Sequence, residues 1–282
     1  RYMERMIFEF SRIETLEGVT RTQYNQYESL ILPLVAFLKD HNVNFSYQTV
    51  VTNILVNRSG SDKLATKIEM TVNGQEKSIA LSRDDLVFVT NGSITESTYG
   101  NNNHPAPLTH DLGASWQLWK NLAAQDSDFG CPEKFCENIP DANWTMSATI
   151  TFTDQRIAKY IEQINQKDPY SGSIVTSGPT SIKDSSWLLG YSISRQPHFK
   201  EQKKNELVIW LYALYTDRKG DYVAKRPDEC TGIEMCEEWL YHIGVPENTI
   251  HELACSASTI PCHMPYITTY FMPRTTNDRP LV

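Results

Sequence analysis

An α/β fold is predicted by three features of this 282-residue chain. Several segments alternate and are rich in β-branched residues, as strands are. Others space their apolar residues at helical intervals. A short all-apolar run, Leu86-Val87-Phe88-Val89, closes on the small polar turn Thr90-Asn91-Gly92-Ser93, as a buried parallel strand does. In an open α/β sheet, ligands collect at such carboxyl edges.

Taken in order, residues 1–14 place Met3, Met6, Ile7 and Phe10 at helical spacing, and 15–23 is polar and reads as a loop. Asn25 with Glu28 three residues on resembles a capping box, opening an apolar helix over about 26–40. Pro33 falls inside that helix and predicts a kink, because proline has no N–H for the carbonyl four residues back. Asn42 can take the left-handed conformation that ends it. Residues 43–56 then read as a strand, and 64–81 as two strands around Asn73-Gly74, a strong hairpin signal. Pro, Asn and Gly cluster over 101–113 and 130–143, which predicts a domain crossover or long site-forming loops. Residues 187–193 and 207–215 read as core strands. Thr231 with Glu234 forms a second capping box, with Cys230 and Met235 as its hydrophobic staple and Gly244 ending the helix. Two domains are expected, over 1–104 and 105–282, the first carrying the hairpin as an insertion and the second built on a mixed sheet.

Composition narrows the classes of function. The net charge of −8 argues against a general nucleic-acid binder. No run of 18 apolar residues is present, and no signal-peptide core follows Arg1, so the chain is read as starting inside a longer protein. The six cysteines form no CxxC pair and no His/Cys cluster has zinc-site spacing, so no metal site is expected. They are read as reduced thiols of a cytoplasmic protein, with three disulfides as the alternative. GxSxG, Walker, HExxH and GxGxxG motifs are all missing.

Three segments carry candidate chemistry. Tyr24 and Tyr27 flank the start of the kinked helix, where free amides and the helix dipole favour proton donation; the simpler reading is two packed tyrosines with satisfied hydroxyls. Gly92 and Ser93, in the turn after the apolar run, let backbone approach a flat cofactor closely, or simply end a strand. Ser192 and Ser194 would share one face if 187–194 were a strand, and with His198 two hydroxyls and an imidazole could hold a carboxylate. The alternative for His198 is a surface loop residue.

Longer strings go further. RYMERMIFEFSRIETLEGVTRTQYNQYESLILPL (1–34), DLVFVTNGSITESTYGNNNHPAPL (85–108), ASWQLWKNLAAQ (114–125), KFCENIP (134–140), SRQPHF (194–199), GDYVAKRPDECTGIE (220–234) and IPCHMPYITTYFMPR (260–274) resemble the oleate hydratase, or myosin-cross-reactive antigen, family over essentially the whole chain. The resemblance implies part of a Rossmann-like, amine-oxidase-like FAD-binding domain beside a substrate domain. It also implies addition of water to the cis double bond of oleate, linoleate and related acids to give hydroxy fatty acids, with FAD needed but not consumed. By the same resemblance Tyr24 matches the proton donor, with Tyr27 the fallback, and Gln48 a pocket residue near the reacting carbons. Ser192, Ser194 and His198 match the segment holding the fatty-acid carboxylate, although the family pattern has Thr and Asn where this chain has the two serines. Val50, Val51, Gly92 and Ser93 match positions near the flavin. A homodimer and peripheral membrane contact are implied as well. The family's glycine-rich FAD loop and water-activating glutamate fall before Arg1, so this stretch alone is expected to bind FAD poorly and to turn over little. A flavin oxidoreductase and a non-catalytic lipid binder or decayed gene product are the competing readings.

Overall fold

In the computed structural model, residues 21–59, 62–90, 97–108, 113–133, 144–176 and 178–265 are described. The chain divides into two units, one comprising Arg1–Val43, Thr98–Leu108 and Thr145–His263, the other Asn44–Ser97, Thr109–Trp144 and Met264–Val282. Both mix helices with antiparallel strand pairs, so the α/β class holds. The expected helix over 1–14 and most of the loop over 130–143 lie outside the described residues.

The larger unit opens with a helix in two parts. Tyr27–Ile31 forms a π-helical turn, in which Leu32 N–H reaches back to the Tyr27 carbonyl, and Leu32–Asp40 continues as α1. The expected disruption at Pro33 takes this form: with Pro33 in its first turn, α1 needs no amide there, and the wider turn before it absorbs the mismatch. Asn42, at φ 62°, closes the helix in the left-handed region as expected.

The smaller unit contains β1 (Thr49–Ser59), β2 (Asp62–Val72) and β3 (Gln75–Ala80) in the order β1-β2-β3. Asn73 and Gly74, both at positive φ, turn β2 into β3 with Val72 opposite Gln75, as the Asn-Gly signal predicts. β1 starts at Thr49 rather than at 43, because Gln48 adopts φ 51° and its carbonyl accepts the Asn73 N–H. α2 (Gly113–Gln125) lies against β1, where Ile54, Leu118, Leu122 and Phe129 form a buried cluster. Asn121 donates to Thr52 O at 2.7 Å, and Gln125 joins Val56 N and Ile54 O, so helix side chains satisfy backbone groups where β1 bulges.

The strand expected at 86–89 is corrected here. Its residues join no ladder. Val87 and Val89 pack on the Ile54 cluster, while Leu86 and Phe88 are 83% and 89% exposed. The run is partly buried through alternate residues only, whereas a parallel strand of an open sheet needs both faces covered.

In the larger unit, β4 (Thr98–Tyr99), β5 (Trp144–Phe152), β6 (Thr180–Ser181), β7 (Leu189–Ser192), β8 (Leu207–Ala213) and β9 (Ser258–Pro265) form a sheet in the order β4-β9-β5-β8-β7-β6. β7 is shorter than expected. Leu188, at φ 45°, delays its start, and beyond Ser192 the ladder gives way to Thr176, whose Oγ1 accepts Ile193 N–H at 2.9 Å. Helix α3 (Ala158–Asn165) buries Tyr160 and Ile161. α4 (Gly232–His242) starts at the expected box: Thr231 Oγ1 accepts Glu234 N–H and the Glu234 carboxylate accepts Thr231 N–H. Cys230 and Met235 are fully buried beside it, and Gly244 at φ 82° ends it. Trp239 of α4 packs against Phe152 and edge-on to Tyr191, and α5 (Glu247–Ser256) adds Ile250, Leu253 and Ala254 to the core. Cys131, Cys230, Cys236, Cys255 and Cys262 are free thiols.

Candidate functional site

The site is built where a helix start meets a loop 173 residues away. The Asn25 carbonyl accepts Ser29 N–H at 3.0 Å, and its Oδ1 accepts Glu28 N–H at 3.0 Å, so Asn25 caps the helix. Its backbone N–H and its Nδ2 both donate to the His198 carbonyl, at 2.9 and 3.1 Å. Glu28 completes the junction: its Oε2 accepts Asn25 Nδ2 at 2.6 Å and Lys200 N–H at 3.0 Å. Half of the box predicted from sequence is therefore present: Asn25 Oδ1 takes the Glu28 N–H, but the Glu28 carboxylate accepts the Asn25 side-chain amide and the distant Lys200 N–H instead of the Asn25 backbone N–H.

Beside this junction lies a pocket of about 590 Å3 whose lining includes Arg21, Tyr24, Asn25, Ser194, Arg195 and His198. Leu30 and Ile174 add apolar wall, and no carboxylate is among the described lining residues. The Tyr24 hydroxyl is approached by Gln23 Nε2 at 3.4 Å, which leaves the phenol proton available, and Lys200 Nζ sits 5.9 Å from its ring. His198 is half-buried with its N–H on Gln202 Oε1 at 2.6 Å. Burial lowers the His198 pKa below the ordinary 6.5, and the nearby Glu28 charge opposes this without reversing it.

Of the sequence-predicted residues, Tyr24, Ser194 and His198 are brought together in one pocket. Ser192 is not in its lining; its hydroxyl faces Thr176 Oγ1 at 3.4 Å. The shared face expected of the two serines requires a strand through 194, and β7 stops at Ser192. Tyr27 is 60% exposed. Gln48 belongs to the smaller unit, exposed and one residue before β1, as do Val50 and Val51 on β1 itself. Gly92 and Ser93 lie outside the described residues. Sequence reasoning did not single out Arg21 or Arg195; the position of Arg195 inside the SRQPHF string is the signal that points to it.

A second cluster joins α4 to the 220–223 loop. The fully buried Glu238 carboxylate accepts the N–H groups of Asp221, Tyr222 and Val223 at 2.7–3.0 Å, and His242 Nε2 stands 3.3 Å from it and 3.2 Å from Asp221. Gly220 is required there, since a Cβ would lie 2.8 Å from the carboxylate. Although ligand atoms of Asp221, Glu238 and His242 lie within 4.8 Å of one another, both Glu238 oxygens already accept backbone N–H groups, and the trio clamps the 220–223 loop.

Arginine, hydroxyl, imidazole and phenol groups thus share the lining of one pocket in an α/β protein, groups whose chemistry is anion binding and proton transfer. The chain belongs to the MCRA family, whose pattern matches residues 1–282. It is 47% identical to an oleate hydratase of Streptococcus pyogenes serotype M49 (strain NZ131) over 285 residues, covering 100% of this chain and 48% of the relative. It is 33% identical to a linoleate hydratase of Lactiplantibacillus plantarum over 298 residues, covering 100% of this chain and 52% of the relative. The chain thus spans about half the length of these curated relatives.

Proposed function

We propose that this chain supplies the proton-donating and carboxylate-holding part of a hydratase acting on unsaturated fatty acids. The observation that carries the reading is the convergence of Tyr24, Ser194 and His198 on one pocket from segments about 170 residues apart. The names of the two relatives, oleate hydratase and linoleate hydratase, point to the substrate class. In this reading Ser194 and His198 hold the carboxylate, and Tyr24 donates its phenol proton to one carbon of the cis-9 double bond of oleate. Water adds to the other carbon, giving the 10-hydroxy acid, and its spare proton restores the phenol. No bond is oxidised or reduced. A phenol suits this step because protonating a developing carbocation depends on position in a water-poor site more than on a low pKa.

FAD enters the proposal through the family resemblance. Of the residues which that resemblance places near the flavin, Val50 and Val51 lie on β1, and Gly92 and Ser93 lie outside the described residues. Val51 packs into the cluster around Ile54 while Val50 is 43% exposed, as expected of neighbours on one strand, so the two do not present one surface to a ring system. No step is therefore assigned to it. The assignment of 1–104 to the flavin side and of 105–282 to the substrate side, homodimerisation and contact with a membrane surface belong to the same proposal. Leu30, Leu34 and Phe37, each more than half exposed on the first helix, favour such a contact. None of the described helices is long and apolar enough to cross a membrane.

The test is to express the complete reading frame containing this chain, load it with FAD, supply oleate, and identify the product by mass spectrometry. 10-Hydroxystearate is expected. A folded, flavin-loaded protein that leaves oleate unchanged refutes the assignment.

A further inference from the structure

Arg195 follows Ser194 just past the end of β7, and its side chain lines the same pocket as Tyr24 and His198. Its Nε is buried and has no hydrogen-bond partner among the described residues. The nearby acid, Glu28, has its Oε2 taken by Asn25 and Lys200. Arg21, also in the lining, has an interaction of its own. A guanidinium stays charged at any physiological pH and offers five donors in a planar fork. A guanidinium with one N–H dry and no acceptor among the described residues is unfavourable unless an anion beside it offsets the charge.

The backbone around Arg195 is held without any ligand. Ile193 N–H is fixed by Thr176 Oγ1 at 2.9 Å. The buried Gln196 amide donates to Ser194 O and Val208 O at 3.0 and 3.2 Å, while its Oε1 accepts Val208 N–H and Gln202 Nε2 at 3.2 and 2.5 Å. The guanidinium thus hangs from a rigid base beside a cavity large enough for a headgroup. His198 does not supply this positive charge near neutrality, because burial disfavours its protonated form.

We propose that Arg195 is the cation that recognises the ionised carboxylate of the substrate, so that the pocket selects free fatty acids over uncharged lipids of the same chain. This rests on the fatty-acid reading above. Ser194 and His198 then act as neutral hydrogen-bonding partners on the same headgroup, and the planar fork explains arginine in place of lysine.

The experiment uses the full-length, FAD-loaded enzyme and compares binding of oleate with that of oleyl alcohol, in wild type, Arg195→Gln and Arg195→Lys. Wild type should favour oleate. Arg195→Gln should bind oleate roughly ten- to a hundred-fold more weakly, as expected for losing a charge-assisted contact. Oleyl alcohol binding should change little, and KM for oleate should rise far more than kcat falls. Arg195→Lys, which keeps charge without the fork and covers the case of a poorly folded glutamine variant, should lie between. An oleate preference as strong in either variant as in wild type overturns the role of Arg195 while leaving hydration intact. Loss of flavin with the preference retained also overturns it, assigning the guanidinium to a flavin phosphate. Failure of wild type to bind or convert oleate overturns this proposal and the fatty-acid reading together.

Discussion

His198 shows how the site balances charge against solvation. Its carbonyl is pinned by Asn25 and its amide by Gln202, so its backbone is fixed on both sides, and its ring stands edge-on to Phe199. With its pKa below 6.5 in the folded protein, the imidazole is neutral at pH 7 and can share a headgroup hydrogen bond without competing with the arginine. Because the folded pKa is depressed, the unfolded chain takes up the proton more readily. The stability that goes with a neutral His198 is present above pH 6.5 and is lost as pH falls through the folded value. A histidine NMR titration of the protein should place the His198 midpoint below 6.5, and a midpoint at or above it contradicts the burial argument. At this scale sequence reading reached Tyr24, Ser194 and His198, because a phenol, a hydroxyl and an imidazole announce their chemistry by type. It did not reach Arg195, since a charged residue after a strand is usually solvated, and only the fold shows that its Nε is dry. Ser192 fails for a related reason: the side-chain period of two applies only within a strand, and β7 ends there.

At the scale of elements, Asn25 does two things at once. It caps a helix whose first turns are π-wound before Pro33, and it fastens the loop bearing the site's polar groups. Asn25→Ala should therefore cost more than a typical isolated cap, which is worth about 1 kcal/mol. We expect about 2 kcal/mol from the cap and the Nδ2 bonds together, with weaker oleate binding, because the retained backbone N–H alone would hold His198. Urea unfolding measures the first effect. A loss under about 0.5 kcal/mol would show that the junction is held elsewhere. Elements with local punctuation were readable in the sequence: the Asn73-Gly74 hairpin, the box at Thr231 and Glu234, and the Asn42 and Gly244 stops all stand where they were expected. The run at 86–89 was misread because hydrophobicity reports burial of side chains and says nothing of a ladder partner. Leu86 and Phe88, facing outward, show that even the burial was one-sided.

For the whole molecule, the family and the α/β class follow from long ordered strings that any register of elements would preserve. The division of labour between its two units is less legible. The pocket is assembled entirely within the larger unit from residues 21–30, 174 and 194–198, a long-range closure that no local pattern encodes. Gln48, Val50 and Val51 fall in the other unit, and their proposed roles come from the family resemblance and not from any local pattern in the sequence. Protonation of the alkene by the Tyr24 phenol, held in this pocket, is the step on which the proposed function rests. Its most direct measurement is turnover of oleate by the full-length, FAD-loaded enzyme carrying Tyr24→Phe, with oleate affinity and flavin content measured on the same sample. Removing a general acid typically costs about 10²–10⁴-fold in rate. A loss of roughly a hundred-fold or more in kcat is expected, with binding of both oleate and flavin retained; turnover equal to wild type refutes the proton-donor role of Tyr24.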